Sequence, residues 1–315
     1  MRHFTSVNDT ENIRNLVAKA ISLKKDPFAD KNLGKNKTLG LIFMNPSLRT
    51  RLSTQRAGQN LGLDVMVMNF TGEGWALETG QGIVMDGDKP EHIKEAAAVI
   101  GQYCDIIGLR SFPGLVDRDY DYREELLQYF IDFAGKPVIS LESATRHPLQ
   151  SLADMMTIEE NKRTGRPKVV LTWAPHPKAL PQSVPNSFVE WAVKMNYDLT
   201  IAHPPGYDLD ERFTGGVKPV NDQQEAFEGA EFIYVKNWSS YNEYGKILTR
   251  DGDWMVSLEK LKNTNQARVM HCLPVRRNVV IADDVLDSKV SLVIEEAGNR
   301  TWAAQAVIRE ILLHT

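Results

Sequence analysis

Residues 39–63 read LGLIFMNPSLRTRLSTQRAGQNLGL, and this stretch decides the fold. It opens on an apolar run, Leu39, Gly40, Leu41, Ile42, Phe43 and Met44, the length of one buried strand. Asn45-Pro46 is a turn signal. Ser47-Leu48-Arg49-Thr50-Arg51 follows and leads into a polar, helix-permissive segment ending at Gly62. A strand, a sharp turn and a helix start form an anion-binding arrangement, because the first backbone N–H groups of a helix lack partners and its macrodipole is positive there. Ser47 and Thr50 add hydroxyl donors, and Arg49 and Arg51 add guanidinium forks suited to phosphate. The competing reading is a plain helix cap with solvated arginines.

The 315 residues suffice for two ordinary domains, and 42% hydrophobic with 25% charged residues is a globular composition. A net charge of −4 without a long basic run gives no electrostatic footprint for nucleic acid. No apolar run has the length of a membrane span, and the first residues lack a signal-peptide core, so no membrane partner and a cytoplasmic location are expected. Cys104 and Cys272 supply neither a disulfide framework nor metal-ligand spacing.

Strand and helix patterns alternate along the chain, which predicts an α/β protein. Asp9-Thr10 is expected to cap a first helix, ended by Pro27. Residues 64–70 read as a strand and 71–75 as a loop carrying Trp75. Pro90 fits the first turn of a helix over 91–103. Residues 105–110 are a strand ending in Arg110, and 137–142 a strand ending in Glu142, followed by His147-Pro148-Leu149-Gln150. A helix over 151–162 links to a second domain, which opens with a strand over 168–174. The loop 175–185 holds His176 and four prolines, so it is stiff and cannot enter a sheet. A helix over 187–196 and a strand over 197–203 follow. Lys236 stands at the end of a strand over 231–235, where it either snorkels to solvent or faces a ligand. A strand over 267–270 leads to His271-Cys272-Leu273-Pro274, Arg276 and Arg277. Residues 291–294 read as a late strand and 297–313 as an amphipathic helix.

The motifs Ser47 to Arg51, His147 to Gln150, Cys272 to Pro274 and Arg300, taken in order, resemble the aspartate and ornithine transcarbamylases over essentially the whole chain. The resemblance implies two Rossmann-like doubly wound parallel-sheet domains of the transcarbamylase fold. These would be a carbamoyl-phosphate domain over 1–150, joined by the helix 298–315, and an N-acylornithine domain over 151–297. It also implies a knot at the proline-rich loop. By resemblance, Ser47, Leu48, Arg49, Thr50, Trp75, Arg110, His147, Pro148, Leu149, Gln150, Cys272, Leu273 and Arg300 meet carbamoyl-phosphate, with Arg49, Thr50, Arg110, His147 and Cys272 catalytic. Trp75 would cross to a neighbouring subunit, which makes a homotrimer with shared sites the expected assembly. No metal and no cofactor are expected.

The acceptor site departs from the ornithine pattern, because no Asp-x-x-x-Ser-Met-Gly run is present. The resemblance is to the branch that acts on ornithine acylated at its α-nitrogen. Pro90, Glu142, His176, Lys236, Leu273 and Arg276 are the expected acceptor contacts. Acetylornithine enzymes carry a glutamate where this chain has Pro90, so N-succinylornithine is the expected acceptor and N-acetylornithine the alternative. A non-catalytic sensor of a phosphorylated metabolite is the other class of reading, and the full set of charged motif residues speaks against it. In the expected reaction the δ-amine attacks the carbamoyl carbon and phosphate leaves, with Cys272 and the departing phosphate both candidates to take the proton.

Overall fold

The structure, a computed structural model, describes residues 1–70 and 75–314. It divides into two compact units, one of Met1–Gly114, Asp119–Leu149 and Arg300–Thr315, the other of Leu115–Arg118 and Gln150–Asn299. Among the described residues no helix is long and apolar enough to cross a membrane.

In the first unit α1 (Ile13–Lys25) precedes β1 (Thr38–Phe43), α2 (Leu48–Asn60) and β2 (Asp64–Asn69). Asn12, not Asp9-Thr10, caps α1 by accepting from the Asn15 N–H. Asp9 instead completes a capping box with Ser6 around a short 3₁₀ turn. A small parallel pair, β3 (Leu77–Glu78) and β4 (Glu91–His92), comes next, then α3 (Ile93–Tyr103) and β5 (Ile106–Arg110). The expectation that Pro90 starts α3 fails: Glu91 and His92 pair with β3, and His92 is the cap. Two helices passed over in the sequence, α4 (Arg118–Arg123) and α5 (Glu125–Phe133), lead to β6 (Val138–Glu142).

The main sheet of this unit runs β2-β1-β5-β6, all parallel. β1, β5 and β6 are near-continuous apolar runs because both faces are covered, whereas the edge strand β2 is partly exposed; each fully buried Leu or Ile contributes about 1.5–3 kcal/mol. Register aligns Phe43 with Arg110 and Arg110 with Glu142, so the carboxyl ends of β1, β5 and β6 share one edge. Close packing also fixes two glycines. A Cβ at Gly101 would stand 2.0 Å from the Ala134 carbonyl oxygen, and Gly62, at φ +83°, would bring one to 2.2 Å from that of Lys31.

The helix α6 (Pro148–Asn161) starts three residues before the expected 151. The second unit then builds a sheet from β7 (Lys168–Ala174), β8 (Asp198–Ala202), β9 (Pro219–Val220), β10 (Phe232–Asn237) and β11 (Arg268–Met270), in the order β11-β10-β7-β8-β9. All four pairings are parallel. Its helices include α7 (Ser183–Lys194), α8 (Glu211–Thr214), α9 (Gln223–Phe227) and α10 (Asp283–Leu286). Pro185 is not in the loop as expected but in the first turn of α7, where its missing N–H costs no helical bond. The expected strand 291–294 is a single bridge, Ser291 to Val269, and the last helix, α11 (Val293–Leu312), has begun by Val293.

Candidate active site

In the first unit Ser47 is the N-cap of α2, extended at φ −152° and ψ 120°, with no side-chain capping bond. Its hydroxyl is therefore not spent on the helix. Leu48 is exposed, while Thr50, in the same first turn, is buried. Arg300 reaches Thr50 from α11, its Nη2 donating to Thr50 Oγ1 at 2.6 Å. The same nitrogen lies 3.3 Å from His147 Nε2. With Arg300 donating, that imidazole nitrogen is the acceptor and its proton sits on Nδ1.

Arg110, at the end of β5, is held from two sides. Nη1 donates to the Asn45 and Pro46 carbonyls at 3.1 and 3.2 Å, and Nη2 pairs with Glu142 Oε2 at 2.9 Å. Asn45 in turn accepts the Phe112 N–H at 2.8 Å, which ties the turn after β1 to the end of β5. Glu142, expected on the acceptor side, stands against Arg110 and 3.8 Å from His147. Three guanidinium groups (Arg49, Arg110, Arg300) against this one carboxylate leave two surplus positive charges, which suits a phosphate dianion. Arg49 Nε is buried without a hydrogen-bond partner among the described residues. A buried donor of this kind calls for an acceptor. Pro148 and Leu149 open α6 directly after His147.

Trp75 and Pro90 flank the small ribbon of β3 and β4. Trp75 lies two residues before β3 and Pro90 one before β4, and because the pair is parallel both enter from the same end. Trp75 is 45% exposed and its Nε1 donates to Glu91 Oε2 at 2.9 Å. The rest of its expected loop, 71–74, lies outside the described residues.

In the second unit register sets Lys236 beside Trp173 and Asn237 beside Ala174, so β10 and β7 end together. The loop carrying His176 leaves from that end, and Tyr234 aligned with Met270 brings residues 271–273 alongside. Arg276 Nε donates to His176 Nε2 at 3.2 Å, and His176 Nδ1 is 2.7 Å from the Lys178 carbonyl. Burial, with the positive charges of Arg276, Lys236 and Lys178, pushes the His176 imidazole below its usual range, against the opposing bond to the Lys178 carbonyl. Lys236 is only 6% exposed, and its ammonium has no hydrogen bond or ion pair among the described residues. Arg277 is committed to Asp283 and Asp287, which leaves Arg276 as the available fork. Cys272 is buried with a free thiol, and Leu273, at φ 55°, precedes a cis peptide bond to Pro274.

Asn45, Asp154 and Glu296 were not singled out from the sequence. Asp154 had a usable signal, its spacing of four from Gln150 on one helix. Glu296 looked like ordinary first-turn acidity.

Fold and site together are those of a parallel α/β protein with a cationic cluster suited to an anion at the carboxyl ends of its strands. A profile of the aspartate/ornithine carbamoyltransferase carbamoyl-P binding domain matches residues 2–160, and one of the Asp/Orn binding domain matches 181–311. The chain belongs to the aspartate/ornithine carbamoyltransferase family. It is 54% identical to an N-succinylornithine carbamoyltransferase of Bacteroides thetaiotaomicron, over 99% of both chains. It is 34% identical to an N-acetylornithine carbamoyltransferase of Xanthomonas campestris, over 99% of this chain and 98% of that one. Among solved structures it resembles an N-acetyl-L-ornithine transcarbamylase variant with one glutamate replaced by proline, complexed with carbamyl phosphate and N-succinyl-L-norvaline (TM-score 0.92, 35% identity, covering 99% and 100% of the two chains).

Proposed function

We propose that this chain transfers the carbamoyl group of carbamoyl-phosphate to the δ-amine of N-succinyl-L-ornithine, giving N-succinyl-L-citrulline and phosphate for arginine biosynthesis. The observation that carries the donor half is the convergence of Thr50, Arg110, His147 and Arg300, with a surplus of positive charge and the unpartnered Nε of Arg49. As the δ-amine attacks, charge builds on the carbamoyl oxygen and the leaving phosphate. Donors fixed before the reaction are usually the largest catalytic contribution. The amine attacks in its neutral form, although its free pKa is about 10.4, so a proton leaves during the step. Cys272 and the phosphate are the acceptors available.

Lys236 without a protein counter-ion, and Arg276 donating to a neutral His176, are the groups proposed for the acceptor's carboxylates. Pro90 supports succinyl over acetyl. N-acetyl-L-ornithine transcarbamylase variants solved with N-succinyl-L-norvaline carry alanine, proline or serine in place of one glutamate, which favours a neutral residue there. The greater identity to the succinylornithine relative points the same way. The test is a colorimetric citrulline assay with carbamoyl-phosphate and aspartate, ornithine, acetylornithine or succinylornithine. Turnover with succinylornithine is the expected result, and turnover only with free ornithine or aspartate would overturn the reading.

We further propose a cytoplasmic homotrimer in which Trp75 serves a neighbouring copy. Leu48 and Leu52, one turn apart on α2, are exposed, as are Ile83, Val84 and Met85, an apolar surface that a second copy would cover. Mixing an inactive Trp75→Ala protein with an inactive Arg110→Ala protein is expected to restore activity through sites that hold both native residues. Subunit exchange without any recovery would refute shared sites.

A further inference from the structure

Beneath Cys272 lies a set of buried polar groups that the reaction as described does not use. Gln150, Asp154 and Glu296 are each fully buried. The Gln150 amide nitrogen donates to Asp154 Oδ1 at 2.8 Å and to Glu296 Oε1 at 3.1 Å. The other Glu296 oxygen, Oε2, accepts the His271 backbone N–H at 2.8 Å. His271 Nδ1 accepts the Leu273 N–H at 2.9 Å, and its Nε2 faces Asn237 Oδ1 at 3.3 Å. One carboxyl thus joins the end of the His147–Gln150 motif to the turn that carries Cys272 and Leu273. Burial, followed by the neighbouring Asp154 and Cys272, pushes the Glu296 carboxyl well above its usual range. Two carboxyls side by side in this setting share a proton.

The orientation of the Gln150 amide follows from these partners. Reversed, it would point its oxygen at two carboxyl groups; as it stands, its nitrogen meets two acceptors and its oxygen, Oε1, is buried with no partner among the described residues. An amide oxygen left in that condition costs stability until a donor reaches it.

We propose that Glu296, backed by Asp154, is a positioning residue for carbamoyl transfer: it clamps Gln150 so that the amide oxygen is offered as an acceptor to the carbamoyl nitrogen, and it locks residues 271–273 by the same carboxyl. The inference rests on the carbamoyl-transfer reading and adds to it the group that sets the donor–acceptor sense of Gln150. The carbamoyl –NH₂ is a donor throughout the reaction, so a Gln150 amide turned the other way would meet it donor to donor and misplace the reacting carbon.

Glu296→Gln keeps the shape and removes one acceptor. If the new amide oxygen keeps the His271 N–H, the new nitrogen confronts the Gln150 nitrogen and turns that amide around. The expected result is a kcat lower by about tenfold to a hundredfold, the cost of a small misplacement of reacting groups. The inhibition constant of inorganic phosphate, whose donors are Arg49, Thr50 and Arg300, is expected to stay within about twofold, because those donors are untouched. The double variant Gln150→Glu/Glu296→Gln restores the match in another way: the amide at 296 donates to the carboxyl at 150 and keeps His271, the carboxyls at 150 and 154 now share the proton across the contact that the Gln150 amide made to Asp154, and the second oxygen at 150 takes the acceptor role. It is expected to recover most of the lost kcat, and it is the variant to measure if Glu296→Gln alone does not fold. Asn161→Ala cuts the 3.1 Å bond from Asn161 to Glu295 between the same two helices and is expected to leave kcat unchanged.

Wild-type kcat in Glu296→Gln, a double variant no better than the single one, or an equal loss in Asn161→Ala would each overturn the clamp while leaving carbamoyl transfer intact. A wild-type protein that transfers carbamoyl to none of the four acceptors would remove the functional reading itself.

Discussion

Arg49→Ala is expected to lower carbamoyl transfer by about tenfold to a thousandfold, the range found when one charge-stabilising donor is removed. His147→Ala should do the same for a different reason. Arg49, like Arg110, has a buried Nε without a hydrogen-bond partner among the described residues, and no other bond commits it, so its loss should leave the leaving phosphate short of a fork, and the KM for carbamoyl-phosphate should rise with the fall in kcat. His147 takes a bond from Arg300 at Nε2 and carries its proton on Nδ1, where it can donate to the carbamoyl oxygen as charge develops there. Its loss should appear mainly in kcat. Neither variant should unfold the first unit, since Arg49 holds no partner among the described residues and the bond from Arg300 to Thr50 survives in both. Near-native turnover in either folded variant would remove that residue from the site.

Pro90→Glu is expected to move acceptor preference from succinyl toward acetyl. A carboxylate about 4 Å from the succinyl carboxylate, at an effective dielectric near 20, repels it by on the order of 4 kcal/mol before relaxation and screening. Pro90 is exposed in the single chain, so solvent will take part of that. A change in the ratio of kcat/KM values of roughly tenfold to a hundredfold is the expected outcome, each tenfold being about 1.4 kcal/mol. Pro90 lies outside both β4 and α3, so the exchange leaves the capping of α3 by His92 in place. A ratio that does not move, or a wild type that prefers acetylornithine, would contradict the assignment of Pro90.

The strands that carry the site were legible in the sequence because parallel strands buried on both faces are written as unbroken apolar runs. Residues 168–174 coincide with β7, and β1, β5 and β6 fall within a residue or two of their expected limits. Arg110, Glu142 and Lys236 could be picked out because each is a charge at the end of such a run. The same rule misled at residues 291–294. A short apolar run reads alike as strand or helix, and the acidic Glu295 and Glu296 after it belonged to the first turn of α11. Tertiary pairing overrode local signals at Pro90, where proline looked like a helix start but the next two residues were taken by β3. The helices at 118–133 had a periodic signal in Leu127 and Phe130, both buried, that a reading centred on motifs passed over. What no local pattern could give is the long-range polar pairing: Asn45 with Phe112, or Glu296 with both Gln150 and His271.

The bond from Trp75 to Glu91 has an optical consequence. Of the six tryptophans, Trp173, Trp191 and Trp238 are fully buried, Trp254 nearly so and Trp302 partly, while Trp75 is nearly half open to solvent. In the single chain a neutral collisional quencher such as acrylamide will therefore act first on the fluorescence of Trp75, and a quenchable fraction that shrinks as copies associate becomes a label-free signal that a neighbour covers this residue. Association of the chains can then be followed on dilution, in the unmodified protein, separately from carbamoyl transfer.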